Sequence, residues 1–126
     1  MPLVHIYLQE GRPQSELQEI GDAIHRALME TWDIPQDDRF HLFHEKSGHH
    51  FDMNRKMWGV ERSDALIVLH ITTSPRSKEM KLNFYKALPK ILKEKLGIRP
   101  EDVFISINSN SKEDWSFGNG EAHLLK

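Results

Sequence analysis

The second residue of the chain is a proline, and among the groups that could do chemistry it is the least ordinary. Proline is small enough at its reactive end for an initiator methionine to be removed in front of it, which would leave a secondary amine on the first residue of a strand. Such an amine is a general base without a side chain. A free α-amino group titrates at about 7.7 to 8.0, and burial beside a cation disfavours its charged form and draws the value toward or below neutral. A neutral amine at pH 7 takes a proton from carbon next to a carbonyl. Position alone does not separate this reading of Pro2 from an ordinary strand-start proline. Arg76 is the second group. It follows an apolar run and precedes a helix, where backbone N–H groups and a guanidinium fork together hold a carboxylate. Arg12 has the matching place in the first half of the chain, either as a second anion contact or as the symmetric surface position. Asp38, between Asp37 and Arg39, either orients a water or the proline nitrogen, or pairs with Arg39 as a turn acid.

Other chemistries lack their residues. There is no cysteine, which removes disulfide scaffolds, thiolate zinc sites and cysteine nucleophiles together. Of the eight histidines, His41 and His44 are three apart on an expected strand and so point to opposite faces, while His49 and His50 stand in a polar loop without an acid at fixed spacing. No metal and no cofactor is expected. Serine lacks a Gly-x-Ser-x-Gly elbow, and Gly118-Asn119-Gly120 lacks the lysine and helix of a phosphate loop. Lys plus Arg number 17 against 19 Asp plus Glu, with no basic block, so nucleic acid is not an expected partner. No apolar run is long enough to cross a bilayer, and the first residues show neither a basic flank nor an apolar core, so a cytoplasmic protein without a membrane partner is expected.

The elements that must position these groups repeat. With an ungapped offset of 64, Val4 falls on Val68, Arg12 on Arg76, Ala23 on Ala87, Leu28 on Leu92, Ile34 on Ile98, Asp38 on Asp102 and Phe40 on Phe104. Each half reads strand, helix, strand. Leu3 to Leu8 is a strand broken by Glu10-Gly11-Arg12-Pro13; Ser15 caps a helix with the stripe Leu17, Ile20, Ile24, Ala27 and Leu28; and a strand follows over residues 39 to 45. In the second half, Ala65 to Ile71 is a near-continuous apolar run, of the kind a central strand covered on both faces shows. Ser77 caps the second helix, whose stripe is Met80, Phe84, Ala87, Leu88, Ile91 and Leu92. Pro89 predicts a kink near Lys86, Gly97 ends the helix, and Asp102 to Ile107 is the fourth strand.

The expected fold class is therefore α/β (α+β): one domain over residues 1–126, with pseudo-repeats at about 2–46 and 65–109 and a tail at 110–126. Two right-handed βαβ units give a four-stranded sheet with both helices on one face. Only residues 46–63 and 110–126 are left to cover the other face, and an uncovered sheet face implies oligomerisation. The loop from Ser47 to Glu61, with Phe51, Met57 and Trp58, shapes either a pocket mouth or a subunit contact.

A proline after the initiator Met, Glu10-Gly11-Arg12 after the first strand and a duplicated βαβ resemble the tautomerase superfamily. Within it the chain is most similar to malonate semialdehyde decarboxylase and its relatives. That likeness is carried by Asp38-Arg39, by Pro75-Arg76-Ser77 with Phe84-Tyr85-Lys86, by Gly97-Ile98-x-Pro-x-Asp102-Val103, and by Asp114-Trp115-Ser116-Phe117-Gly118-x-Gly120. The resemblance implies a homotrimer with Pro2 as catalytic group, Arg76 on the substrate carboxylate or carbonyl, and Asp38 supporting proton transfer or water activation. It also implies an aromatic wall of Trp115 and Phe117, with Arg12, Ser74 and Leu124 in the substrate-binding set. One departure is visible: the decarboxylase pattern reads Arg-Pro-Arg where this chain reads Ser74-Pro75-Arg76, so one cation is absent. A cofactor-independent keto-enol tautomerase acting on a small 2-oxo or 2-hydroxy-enoic acid is the expected function. The alternatives are a decarboxylase or hydratase of 3-oxo or acetylenic acids, and a non-catalytic trimeric binding module, which retention of Met1 would favour.

Overall fold

A computed structural model describes all 126 residues. Its sheet holds strands β1 (Pro2–Gln9), β2 (Phe40–Lys46), β3 (Ile67–Thr73) and β4 (Val103–Ser109), with helices α1 (Gln14–Trp32) and α2 (Lys78–Leu96) as the crossovers. The strand order is β2-β1-β3-β4. Within each half the strands are parallel, and the halves meet antiparallel at β1 and β3. This is the duplicated βαβ fold expected from the repeat.

Strict alternation in β1 and β3 explains the layering. Val4, Ile6 and Leu8 face the helices beside Ile67, Leu69 and Ile71, all fully buried. They meet Ile20, Ile24 and Leu28 of α1 and Phe84, Leu88 and Leu92 of α2 in one core. Each such side chain contributes about 1.5–3 kcal/mol of burial, so the sheet and helix stripes hold the layers together. The opposite face of the sheet is open. Phe40, Leu42 and Phe104 are 45%, 49% and 38% exposed there, and Val68, His70 and Thr72 of β3 are only half-buried. The expectation that β3 is covered on both faces therefore fails within a protomer, although its place in the middle of the sheet holds.

Three local expectations also shift. Helix α1 starts after Pro13 instead of a Ser15 cap: Pro13 sits at the N-cap with φ −66°, and its carbonyl accepts from Glu16 N and Leu17 N. Proline presets the entry angle and brings no N–H of its own to satisfy, so the serine is left inside the first turn. Ser77 does cap α2, accepting from Met80 N at 3.1 Å, and that helix runs through Pro89 as one element. Strand β3 begins at Ile67 because Ala65 and Leu66 belong to a turn in which Leu66 N donates to Ser63 O. Asp102 is likewise drawn out of β4: fully buried, it accepts from both Ser63 N and Ser63 Oγ at 2.7 Å and so ties this turn to the second half. In the Ser47 to Glu61 loop Phe51 is buried, whereas Met57 and Trp58 are exposed. Arg62 fastens the loop through the carbonyls of Asn54, Met57 and Val60.

A half-buried titratable group whose ring nitrogens are shielded from solvent lies in the helix-side layer. His41 of β2 faces His25 of α1 with ring centroids 6.2 Å apart, and neither of its ring nitrogens has a partner. Burial first, then Arg39 and His25, push it down to about 4 from the ordinary 6.5. The unfolded chain therefore takes up this proton at a higher pH than the folded chain does. Stability from His41 is whole above about pH 6.5 and falls as the pH drops toward 4, by up to about 3 kcal/mol. Urea midpoints of wild type and His41→Leu across that range should converge at low pH if wild type leads at neutral pH. Parallel curves would contradict this account.

Candidate active site

Three segments meet at the end of the sheet where β1 begins, and the strand registers bring them there. Pro2 pairs with Thr73, so the turn after β3, Ser74-Pro75-Arg76, arrives beside the start of β1. Leu3 pairs with Phe40, so the turn entering β2 arrives on the other side and carries Asp38. Pro2, Asp38 and Arg76 are thus assembled from residues far apart in sequence.

The Met1 amine lies 3.6 Å from Asp38 Oδ2. The Asp38 side chain is buried, and its Oδ1, itself shielded from solvent, has no hydrogen-bond partner within the protomer. Burial is the largest influence on the amine and holds its pKa below the ordinary 8.0. Arg76 lowers it as well, while the charge of Asp38 opposes both. An amine at the head of β1 is therefore biased toward its neutral form. Burial also lowers Arg76, against the pull of Asp38. A guanidinium keeps its proton at any working pH, so Arg76 is a fixed cation.

Two further residues set the orientation of that cation. Arg76 Nε donates to Thr73 Oγ1 at 3.2 Å, and the Thr73 hydroxyl, fully buried, donates to Ser74 O at 2.9 Å. The guanidinium lies over the Trp32 ring, 5.3 Å from its centroid, and the Trp32 indole N–H is anchored on Met80 O at 3.1 Å. Sequence reasoning missed both. The available signal was local: Thr73 directly precedes Ser74-Pro75-Arg76, and Trp32 is a bulky aromatic on the last turn of α1.

The tail folds to the same end of the sheet. Asn110 N donates to Thr73 O at 2.9 Å, extending the β3–β4 pairing, and Trp115 Nε1 donates to Asn110 Oδ1 at 2.6 Å. Trp115 and Phe117, with ring centroids 5.7 Å apart, line a shallow cleft of about 480 Å³ over Leu3, Phe40 and Thr72. Leu124 is half-buried in the closing turn, whose His123 accepts from Phe117 N at 3.1 Å. Arg12 is not brought to this group within the protomer. It follows the far end of β1, where it donates to Ala65 O at 2.7 Å and pairs with Glu16 at 3.3 Å.

An amine, an acid beside it and an oriented cation are groups that can together move a proton on an anionic molecule. The sequence pattern of the tautomerase enzymes matches residues 38–118, and a second such pattern matches residues 2–61. The chain belongs to the tautomerase family. It is 39% identical to a probable tautomerase of Bacillus subtilis strain 168, YrdN, over 99% of this chain and 97% of that protein. Among solved structures it superposes on malonate semialdehyde decarboxylase with a TM-score of 0.93 and 33% identity, covering 98% of this chain and 95% of that one. The wild-type symmetric trimer of Q0 fused 4-OT shares the fold at a TM-score of 0.77 and 18% identity, with 98% of each chain covered. The malonate semialdehyde decarboxylase structures are described as a basis for decarboxylase and hydratase activities. This tautomerase therefore shares a fold with enzymes of more than one reaction type, and its own site has to distinguish them.

Proposed function

We propose that this tautomerase isomerises a small 2-oxo or 2-hydroxy-enoic carboxylate with Pro2 as its general base, after removal of Met1. The observation that carries the reading is the Met1 amine just ahead of β1, half-buried beside Asp38 with its pKa lowered by burial and by Arg76. Removal of Met1 would free the Pro2 nitrogen one residue further into the strand, and in this reading Asp38 and Arg76 are its charged neighbours too. It takes the hydroxyl proton of the 2-hydroxy-enoate; the oxygen electron pair forms the carbonyl, the double bond shifts, and the prolinium returns the proton to carbon. One proton and one double bond move, with no net redox change.

Arg76 holds the substrate carboxylate and offsets the charge of the enolate as it develops. Asp38 stabilises the prolinium between the two proton transfers and draws off part of the cationic field of Arg76. Trp115 and Phe117 line the neighbouring cleft over Leu3, Phe40 and Thr72, and in this reading they supply an apolar wall beside the bound substrate. Ser74 presents its carbonyl to Thr73 and so belongs to the support of Arg76. The exposed Phe40, Leu42 and Phe104 on the open sheet face support a homotrimer closed through that face, in line with the trimer of fused 4-OT.

The likeness to malonate semialdehyde decarboxylase favours a second reading, in which protonated Pro2 acts as general acid toward a 3-oxo acid. The pH dependence of kcat/KM separates the two. Base catalysis predicts activity rising with pH through one titration below the ordinary 8.0 of an α-amine and level above it. Activity falling through the same titration would overturn the base assignment and favour the acid.

A further inference from the structure

Three histidines stand side by side on the sheet face that the helices leave open. His5 of β1 is in register with His70 of β3, their ring centroids 6.4 Å apart. On the other side, His5 Nδ1 lies 2.8 Å from Nε2 of His44 on β2, and the two rings stack at 5.1 Å. Tyr7, two residues along β1 from His5, stacks on His44 at 4.4 Å and lies 6.2 Å from His5. A hydrogen bond between two imidazoles needs a bare nitrogen on one of them, so the His5–His44 contact is lost once both are protonated.

The remaining charges on this face do not compensate such protonation. By strand alternation the sheet contributes Lys46 as well as the histidines, and Arg62 lies over Phe104 at 5.9 Å, whereas Glu45 of β2 points to the helix side. No strand places a carboxylate on this face. The carboxylate that reaches it from the tail, Asp114 at the Leu3 end, is engaged by Ser111 N and Oγ. Burial, His44 and His70 already hold His5 below its ordinary value in one protomer.

We propose that this face is a proton-sensitive contact between copies of the chain, closing over His5, His44 and His70 as neutral imidazoles and opening when mild acid protonates them. The inference rests on the trimer reading above. The occupant is a second copy, because Phe40, Leu42 and Phe104 surround the histidines with apolar surface suited to self-association, and three symmetry-related faces set like charge against like. An acidic partner would bind more tightly on protonation, the opposite dependence. The assembled state binds fewer protons than the separate protomers, so assembly strengthens as pH rises through the imidazole range and weakens as it falls. For each such histidine, one per protomer, the trimer dissociation constant rises by up to about 10³ per pH unit below that range, a factor of ten from each of three protomers.

Sedimentation velocity at about pH 8 and about pH 5.5, with circular dichroism alongside, tests this for wild type and for H5N/H44N/H70N. The expected result is a wild-type trimer at pH 8 that dissociates reversibly into folded protomers at pH 5.5, and a variant that stays trimeric at both. An undiminished wild-type trimer at pH 5.5, a variant that dissociates as wild type does, or dissociation accompanied by loss of native dichroism would each overturn the proposal. A wild-type monomer at pH 8 would overturn the trimer reading itself and this inference with it. Should the triple variant fail to assemble at pH 8, imidazole proton shifts decide on wild type alone: pKa values lower in the trimer than in dilute protomers support the proposal, and equal values overturn it.

Discussion

Replacing Pro2 with alanine should lower kcat by about 10²- to 10⁴-fold, the range that a positioned proton-transfer group supplies. Alanine also permits removal of Met1, so the variant still presents an amine at the head of β1, but a primary one that turns freely about its N–Cα bond, where the proline nitrogen is fixed in a ring. Its KM should change little, because Arg76 and its supports are untouched. Folding and assembly should survive. Proline brings no N–H to the ladder, so the pairing of residue 2 with Thr73 does not depend on it. Steady-state kinetics on a 2-hydroxy-enoic acid, with sedimentation to confirm assembly, checks this expectation. Wild-type turnover in the variant would remove the proline from the mechanism.

Replacing Arg76 with alanine should cost about 10²- to 10³-fold in kcat/KM, the scale of losing one preorganised stabiliser of a developing oxyanion. A second consequence has a definite sign. Arg76 lowers the amine pKa, so its removal raises that pKa and shifts the rising limb of the pH profile to higher pH. Arg76→Lys keeps the charge but gives up both the planar contact with Trp32 and the Nε donation to Thr73, so its activity should fall between wild type and alanine. A profile unmoved in Arg76→Ala, or a lysine variant as active as wild type, would contradict the placement of the guanidinium beside the amine.

What the sequence disclosed and what it withheld follow from the range of the interactions. Helix stripes such as Leu17, Ile20, Ile24 and Leu28 are periodic within one element and depend only on neighbours in the chain, so the duplicated βαβ was readable. The start of α1 was misplaced because Ser15 and Pro13 compete for the same helix entry, and the prolyl φ prevailed. The candidate site was legible as separate pieces: a proline at position 2, an acid entering β2 and an arginine leaving β3. Their meeting depends on the Pro2–Thr73 and Leu3–Phe40 registers, which no local pattern encodes. Trp32 and Thr73 were overlooked for a related reason. A tryptophan in a helix and a threonine in a strand read as packing residues until the guanidinium between them is located. Arg12 has the position equivalent to Arg76 in the repeat, but within the protomer that end of the other βαβ unit lies away from Pro2, and Arg12 there meets Ala65 O and Glu16.

The most direct test of Pro2 as a neutral amine beside an anion site is the intact mass of untagged protein after exposure to a small acetylenic carboxylate, with the modified residue located by fragmentation. Such a reagent alkylates an unprotonated amine and needs a cation to seat its carboxylate, so it reports on Pro2 and Arg76 together. The predicted result is a chain lacking Met1 and carrying a single adduct on the Pro2 nitrogen, slowed by competing substrate and greatly weakened in Arg76→Ala. Processed chain that stays unlabelled, or a label found on a lysine instead, would contradict it.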